Sequence, residues 1–332
     1  MEFRRLILRS IPIAATLFVV LQVGSPLVAH AAVGSTLTLS ASPHSAQLGD
    51  EIDLSGTLAF DDLSSSGGQT ISLTRDDATG SHPLLDTTTD TNGMYSVTDT
   101  VKVGGQVTYH ASFAGDSTYG STGATDTVSV AKLGSRVSLQ VSAGAVAFGT
   151  SVRLTAHLAR GTESRVVAID ARPDGGSEKL VRKAAVNRHR ELHATFTPSK
   201  NTTFIARYDG DFTHRAAHDD AVTRVRVIVR AQLMKAVARS GRYHIYRRGA
   251  HAPCIVRVLP GHKGFAVRAV LQMFTNGGWR RSAARSFRLN AASMLGFAVR
   301  GSSNVKFRVR VSLPTHHDHL GDTSPWQYLR FR

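Results

Sequence analysis

Apolar and polar residues alternate along short stretches of this chain. In residues 36–41 and 52–58, Leu37, Leu39, Ile52, Leu54 and Leu58 fall at every second position, with Gly56 holding the place between the last two. That period of two marks a strand with one buried face. The stretches return 100 residues later as Val137, Leu139, Val152, Leu154 and Leu158. Residues 109–119 return as 204–214, at an offset of 95, so the loops between these anchors differ in length. Ile71 and Leu73 are matched by Val167 and Ile169, and Tyr95 and Val97 by Leu192 and Ala194. Both copies close on an alternating strand, 127–130 and 222–227. Clusters of Gly, Asp, Asn and Ser divide the runs about every ten residues, and no helical stripe follows residue 32.

About seven short strands in each stretch of roughly 100 residues predict a β-sandwich of immunoglobulin type. Residues 90–95, the segments 113–116 and 208–211 with an aromatic residue two places before Gly-Asp, and the Val-rich closing strands resemble the bacterial immunoglobulin-like repeats of secreted and cell-surface proteins. The resemblance covers roughly residues 33–230 and implies an adhesive or structural role outside the cell. In the second copy Arg188, His189 and Arg190 replace the turn residues around Asn92 and Gly93, which predicts a turn of different geometry. Residues 231–332 read as a third, diverged sandwich related to the fibronectin type III arrangement. Its strands are expected at 243–246, 255–259, 265–274, 286–289, 297–300, 305–313 and 326–331, with a hairpin turn at Asn276 and Gly277. Both Trp residues, Trp279 and Trp326, fall here, so this unit is expected to have the largest aromatic core. The expected fold is all-β: three tandem immunoglobulin-like sandwiches at 33–131, 132–230 and 231–332.

Residues 1–32 have the pattern of a secretory signal peptide. Arg4, Arg5 and Arg9 precede an apolar stretch from Ile11 to Val23, and Ala29 and Ala31 supply small residues for cleavage. The spacing of Arg4, Arg5, Ile7, Leu8 and Arg9 also resembles a twin-arginine signal. The chain is therefore expected outside the cell or at its surface, with no stable membrane span after cleavage. A single Cys, Cys254, excludes a disulfide framework. It stands at the start of an apolar strand, where an inert buried thiol is expected.

The formal charge of +16 is unevenly spread. Residues 33–131 carry 2 basic and 12 acidic side chains, 132–230 carry 17 and 9, and 231–332 carry 18 and 2. Along residues 305–311 the Val and Phe side chains take one face and Lys306, Arg308 and Arg310 the other. Arg247 with Arg248, and Arg280 with Arg281, add pairs expected on turns. These seven residues are the candidate site for an anionic partner: a cell-wall polymer, an acidic polysaccharide or extracellular DNA. The acidic first unit predicts weak, salt-sensitive self-association with the basic third unit of another copy.

None of the short catalytic signatures of hydrolases, nucleotide-binding proteins or zinc proteases is present. The expected function is therefore a non-catalytic binding module without cofactor. An enzyme or inhibitor domain at 231–332 is the alternative. His316, His317, Asp318 and His319 form the best metal-like cluster, but neighbours on one loop reach a single ion only if the loop folds back, so a solvated polar loop without metal is expected. The acidic residues of the first unit lack the spacing of a calcium loop. Gly115-Asp116 and Gly210-Asp211 are expected to shape turns.

Overall fold

The computed structural model describes residues 32–160, 164–302 and 304–332. The export signal expected at 1–32 lies almost wholly outside the described residues. Every regular element among the described residues is a β-strand, and the strands form three sandwiches in tandem.

In the first module Glu51–Phe60 is the centre of one sheet, flanked by Ser35–Leu37 and Ser40–Ser42 on one side and Met94–Thr100 on the other. The facing sheet runs in the order Ser45–Gln47, Thr122–Ala131, Gly105–Phe113, Thr70–Asp77, Gly80–Pro83. Its first pair is parallel and the rest antiparallel. The second module repeats this with Arg136–Val141, Val152–Ala159 and Glu191–Phe196 in one sheet. The order Ala145–Ala147, Ala217–Arg226, Thr202–Tyr208, Val166–Pro173, Lys179–Ala185 makes the other.

The third module keeps the plan. Ile228–Leu233, Ala252–Leu259 and Met294–Val299 form the small sheet; Ala238–Ser240, Tyr243–Tyr246, Gln327–Phe331, Lys306–Leu313, Ala266–Thr275 and Gly278–Arg288 form the large one. Its parallel pair is Tyr243–Tyr246 with Gln327–Phe331. The module opens with Ile228–Leu233, so its first strand begins before residue 231. Only Val227 separates it from Ala217–Arg226 of the second module.

Alternation decides which side chains meet between the sheets. Ile52, Leu54, Leu58, Ile71 and Leu73 are buried in the first module, and Leu154, Leu158, Val167 and Ile169 in the second. Tyr246, Val256, Val258, Val309, Val311 and Phe331 belong to the third core. The two Trp residues do not. Along Gln327–Phe331, Leu329 and Phe331 point inward, so Tyr328 and the preceding Trp326 stand on the outer face, half-buried. Trp279 stands on the same outer face of the neighbouring strands.

One turn recurs in all three modules and corrects the expectation for Arg188, His189 and Arg190. The side-chain carboxylate of Asp90 accepts the amides of Asn92 and Met94, both at 2.8 Å. Asn187 does the same for His189 and Glu191, and Asn290 for Ala292 and Met294. The fourth residue has positive φ each time: Gly93 at 75°, Arg190 at 62°, Ser293 at 56°. Its carbonyl accepts the amide of Leu58, Leu158 or Val258 in turn. The geometry is thus the same in the second copy, because the cap at the first position closes the turn whatever residue fills the fourth. The hairpin at Asn276 and Gly277 has φ of 49° and 75°, as a two-residue turn matched to strand twist requires.

Candidate functional site: a cation-aromatic face and a histidine cluster

The outer face of the large sheet in the third module gathers much of the basic charge. Register places Tyr243 beside Tyr328, Tyr328 beside Arg308, Arg308 beside Gln272, and Gln272 beside Arg281. Residues directly opposed across strands share a face. The Arg308 guanidinium lies 4.6 Å from the Trp279 ring centre and 4.3 Å from that of Trp326, and it donates to Gln272 Oε1 at 2.7 Å. Arg310 covers the same Trp326 ring at 4.5 Å. Lys306 lies 5.6 Å from Phe274 and 5.9 Å from Tyr243. Arg242 covers Tyr328 at 4.2 Å. The rings hold the cations by their negative faces without removing their charge.

Lys306, Arg308 and Arg310 therefore stand in one rank, as the alternation of their strand predicts. Arg281 shares their row. Arg280 does not: it pairs with Met273, which packs against the core, so it takes the opposite face. Neither residue is on a turn. Both belong to the exposed edge strand Gly278–Arg288, where charge also blocks pairing with another chain. Arg247 and Arg248 are on a turn, just past Tyr246, at the end of the sheet where Arg330 pairs with Lys306. Arg242, Trp279, Trp326 and Tyr328 were missed in the sequence because the Trp residues were assigned to the core.

Few carboxylates can neutralise this face. The module has two acidic residues, and both are engaged at its junction with the second module. Asp322 accepts the Val229 amide at 2.9 Å, and Asp318 pairs with Lys200 at 3.3 Å.

The histidine loop is not the solvated turn expected. His319 is 2% exposed and His262, from the loop between Ala252–Leu259 and Ala266–Thr275, is 5% exposed. The rings of His262 and His316 stack with centres 4.6 Å apart, and His262 and His319 meet edge-on at 4.9 Å. One potential ligand atom from each of His262, His316, Asp318 and His319 lies within 4.8 Å of all the others. The physical reason is packing: the loop is pressed between the His262 loop and the 199–201 turn of the second module. His317 stays exposed and outside the cluster.

Each of the three imidazoles is anchored through one nitrogen to a carbonyl, which can only accept. His262 Nδ1 donates to Pro260 at 2.8 Å, His316 Nδ1 to His319 at 3.2 Å, and His319 Nε2 to Ser199 at 2.8 Å. The second nitrogen of each ring is left to serve as acceptor. His316 Nε2 and His319 Nδ1 are buried without a hydrogen-bond partner; Asp318 Oδ1 is 3.1 Å from His319 Nδ1, within ion-pair reach when that nitrogen carries a proton. Burial first, and His262 second, hold His316 below its ordinary pKa, in the neutral form. Burial works against the Asp318 carboxylate, yet His319 and Lys200 pull it down to about 2.

The remaining features have structural roles. Gly115 and Gly210 have φ of 76° and 84°, and Asp116 and Asp211 accept the amides two and three residues on. Arg75 pairs with Asp77 and Asp99 in the acidic module. Cys254 is fully buried, and burial pushes its thiol up to about 11. An open groove of about 560 Å³ in the third module, bordered by Leu271, Arg285, Phe287, Phe297 and Arg300, contains no carboxylate. No helix among the described residues is long and apolar enough to cross a membrane.

No protein-family model matches the chain, and no curated protein matches it. Its fold is similar to a solved structure of tandem repeats. A crystal structure described as a tetra-tandem repeat in the extending region of a large adhesion protein aligns with a TM-score of 0.50 and 16% identity, covering 90% of this chain and 74% of that one. The adhesin InvE of Yersinia pseudotuberculosis aligns over 57% of this chain and 59% of its own, at 16% identity and a TM-score of 0.33. The first likeness bears out the fold: an all-β chain of tandem sandwiches.

Proposed function

We propose that the chain is an exported, adhesin-like binding module of the cell surface or its surroundings, non-catalytic, with the first two sandwiches as spacers and the third as the contact. Its partner on this reading is an anionic polymer: a cell-wall polymer, an acidic polysaccharide or extracellular DNA. The observation that carries the reading is the rank of Lys306, Arg308 and Arg310, held among Trp279, Trp326 and Phe274 on a face poor in carboxylates. Guanidinium forks suit phosphate and carboxylate oxygens, and exposed ring edges suit sugars and bases. The spacer role is supported by short, hydrogen-bonded junctions. Gly104 and Leu133 donate to carbonyls of the 212–213 turn, and Asn201 donates to Asp318, so a single residue links the second and third modules without slack. The likeness in fold to an adhesion-protein repeat fits the same role.

The test is retention of the full chain on immobilised teichoic acid, acidic polysaccharide and DNA across a salt series. Expected is tight retention at low salt that falls steeply as counterions compete. A Lys306→Gln, Arg308→Gln, Arg310→Gln variant should elute at much lower salt, whereas Arg280→Gln should elute with the parent. Absence of retention at low salt, or equal retention of the triple variant, rules the reading out. Light scattering across the same series tests the pairing of the acidic first module with the basic third of another copy, which should disappear as salt rises.

A further inference from the structure

The loop 316–319 occupies a definite place in the repeat. In the first module the Gly120 amide donates to Val33, just before the first strand; in the second Arg215 donates to Leu133; in the third Leu320 donates to Val225. Counting back, Asp116, Asp211 and His316 are equivalent, as are Tyr119, His214 and His319. Each turn is closed by the first of these amides donating to the carbonyl of the last. In the first two modules the leading position is a carboxylate that caps its own turn. In the third it is His316, whose Nδ1 bonds the closing carbonyl and whose Nε2 is turned into a buried space with no donor to meet it. The module thus replaces a self-satisfied turn with one that leaves lone pairs unpaired.

Two such lone pairs, on His316 Nε2 and His319 Nδ1, are buried in a cluster where one ligand atom from each of His262, His316, Asp318 and His319 lies within 4.8 Å of the others. With Nδ1 of His262, Nδ1 of His316 and Nε2 of His319 spent on carbonyls, the free nitrogens are His262 Nε2, His316 Nε2 and His319 Nδ1. Buried acceptors without donors are costly, and placing two of them beside a carboxylate and a third imidazole adds to the cost unless a cation sits among them. A proton satisfies one nitrogen; a metal ion satisfies all. The backbone carbonyl behind each imidazole is the arrangement that fixes ring orientation and raises basicity in histidine metal sites.

The geometry points to a structural metal site formed by His262, His316, His319 and Asp318, suited to a late first-row divalent cation, zinc foremost. Three imidazoles and one carboxylate complete a tetrahedral shell, the closed form characteristic of structural zinc. Donors around such an ion stand about 3.3 Å apart, so the widest pair here, within 4.8 Å, closes by about 1.5 Å on binding. Phe265 stands edge-on over His262 and His316 and covers one side. The ion joins the His262 loop to the 316–319 loop. Through His319 and Ser199, and through Asp318, Lys200 and Asn201, it also stiffens the junction between the second and third modules. This site is independent of the polymer-binding face.

The experiment is calorimetric titration of the chelator-treated full chain with Zn²⁺, alongside the visible spectrum of the Co²⁺-loaded chain. Expected are one equivalent of Zn²⁺ and the intense bands of four-coordinate cobalt. His262→Ala and the milder His262→Gln should each weaken binding at least tenfold, while His317→Ala, on the same loop but outside the cluster, should bind as the parent does. Circular dichroism of each variant confirms its fold; if His262→Ala unfolds, His262→Gln carries the comparison. Absence of stoichiometric binding overturns the site, as does parental affinity in the folded His262→Gln chain. Equal losses in the His317 and His262 variants overturn it too.

Discussion

The recurring Asx-capped turn puts one backbone conformation under three different residues, so adding a Cβ at this position in one module and removing it in the next should have opposite effects. Gly93 sits at φ 75° with no side chain, and a Cβ built there would lie 2.2 Å from Ser66 Oγ and 2.4 Å from the Leu58 carbonyl oxygen. That carbonyl already accepts the Ser66 hydroxyl, and Leu58 donates its own amide to Gly93, so neither atom can withdraw without breaking a bond. Gly93→Ala pays the left-handed cost of about 1–2 kcal/mol, less roughly 0.4–1 kcal/mol from a stiffer unfolded chain. Overpacking adds about 1–3 kcal/mol. A total of roughly 1–5 kcal/mol, centred near 3, is expected. Arg190 already bears the left-handed cost at φ 62°. Arg190→Gly removes it and restores chain entropy of about 0.5–1 kcal/mol, leaving a gain of up to about 1.5 kcal/mol. Hydrogen exchange read peptide by peptide over 88–100 and 185–196 separates the two turns: protection should fall in the first variant and hold or rise in the second. A loss below about 1 kcal/mol for Gly93→Ala would refute the packing argument. A loss above about 1 kcal/mol for Arg190→Gly would refute the conformational one.

Other outcomes follow from single sites. Asp211 accepts Arg165 Nε at 2.7 Å and two amides of its own turn. Burial would raise its pKa, but Tyr208, Thr213 and Arg165 hold it well below the ordinary carboxylate value. A depressed carboxylate contributes stability that is complete above about pH 4 and is lost as pH falls toward its folded value. Asp211→Asn should therefore cost roughly 2 kcal/mol at pH 7, with the difference from the parent shrinking between about pH 4 and pH 2 in urea titrations. Cys254, raised to about 11 and fully buried, should resist a disulfide reagent at pH 8 in the folded chain and react fully in denaturant; fast labelling of folded protein would contradict this. Trp326→Ala removes two cation contacts, to Arg308 and Arg310, each about 0.5–1 kcal/mol. Denaturation followed by Trp279 fluorescence should show a loss of at least 1 kcal/mol, and less than about 0.5 kcal/mol would mean the ladder is only a surface arrangement.

The sandwiches were legible because alternation and turn chemistry are local. Ile52, Leu54 and Leu58 announce their face within seven residues, and Asp90 with Gly93 announces a turn within four. Arg190 misled because residue type at the fourth position was weighed over the cap at the first, although Asn187 was there to be read. The Trp residues misled for a related reason. Size suggested a core, whereas counting alternate positions back from Leu329 and Phe331 puts Tyr328 and Trp326 outward, as the structure does.

The histidine cluster is of a different kind, because His262 and Asp318 lie in separate loops and no local pattern connects them. They meet through strand register. Ala266–Thr275 and Lys306–Leu313 are antiparallel, with Arg268 opposite Ser312. Six residues before Arg268 stands His262, and six after Ser312 stands Asp318, so the two chains leave the sheet at the same end and their loops must pack together. The signal within reach was the repeat itself. Carrying the Asp116 and Asp211 turns into the third copy puts His316 where a capping carboxylate belongs. A titratable ring with a spare nitrogen at a position built to satisfy itself requires a partner from elsewhere, and the antiparallel register determines that His262 supplies it.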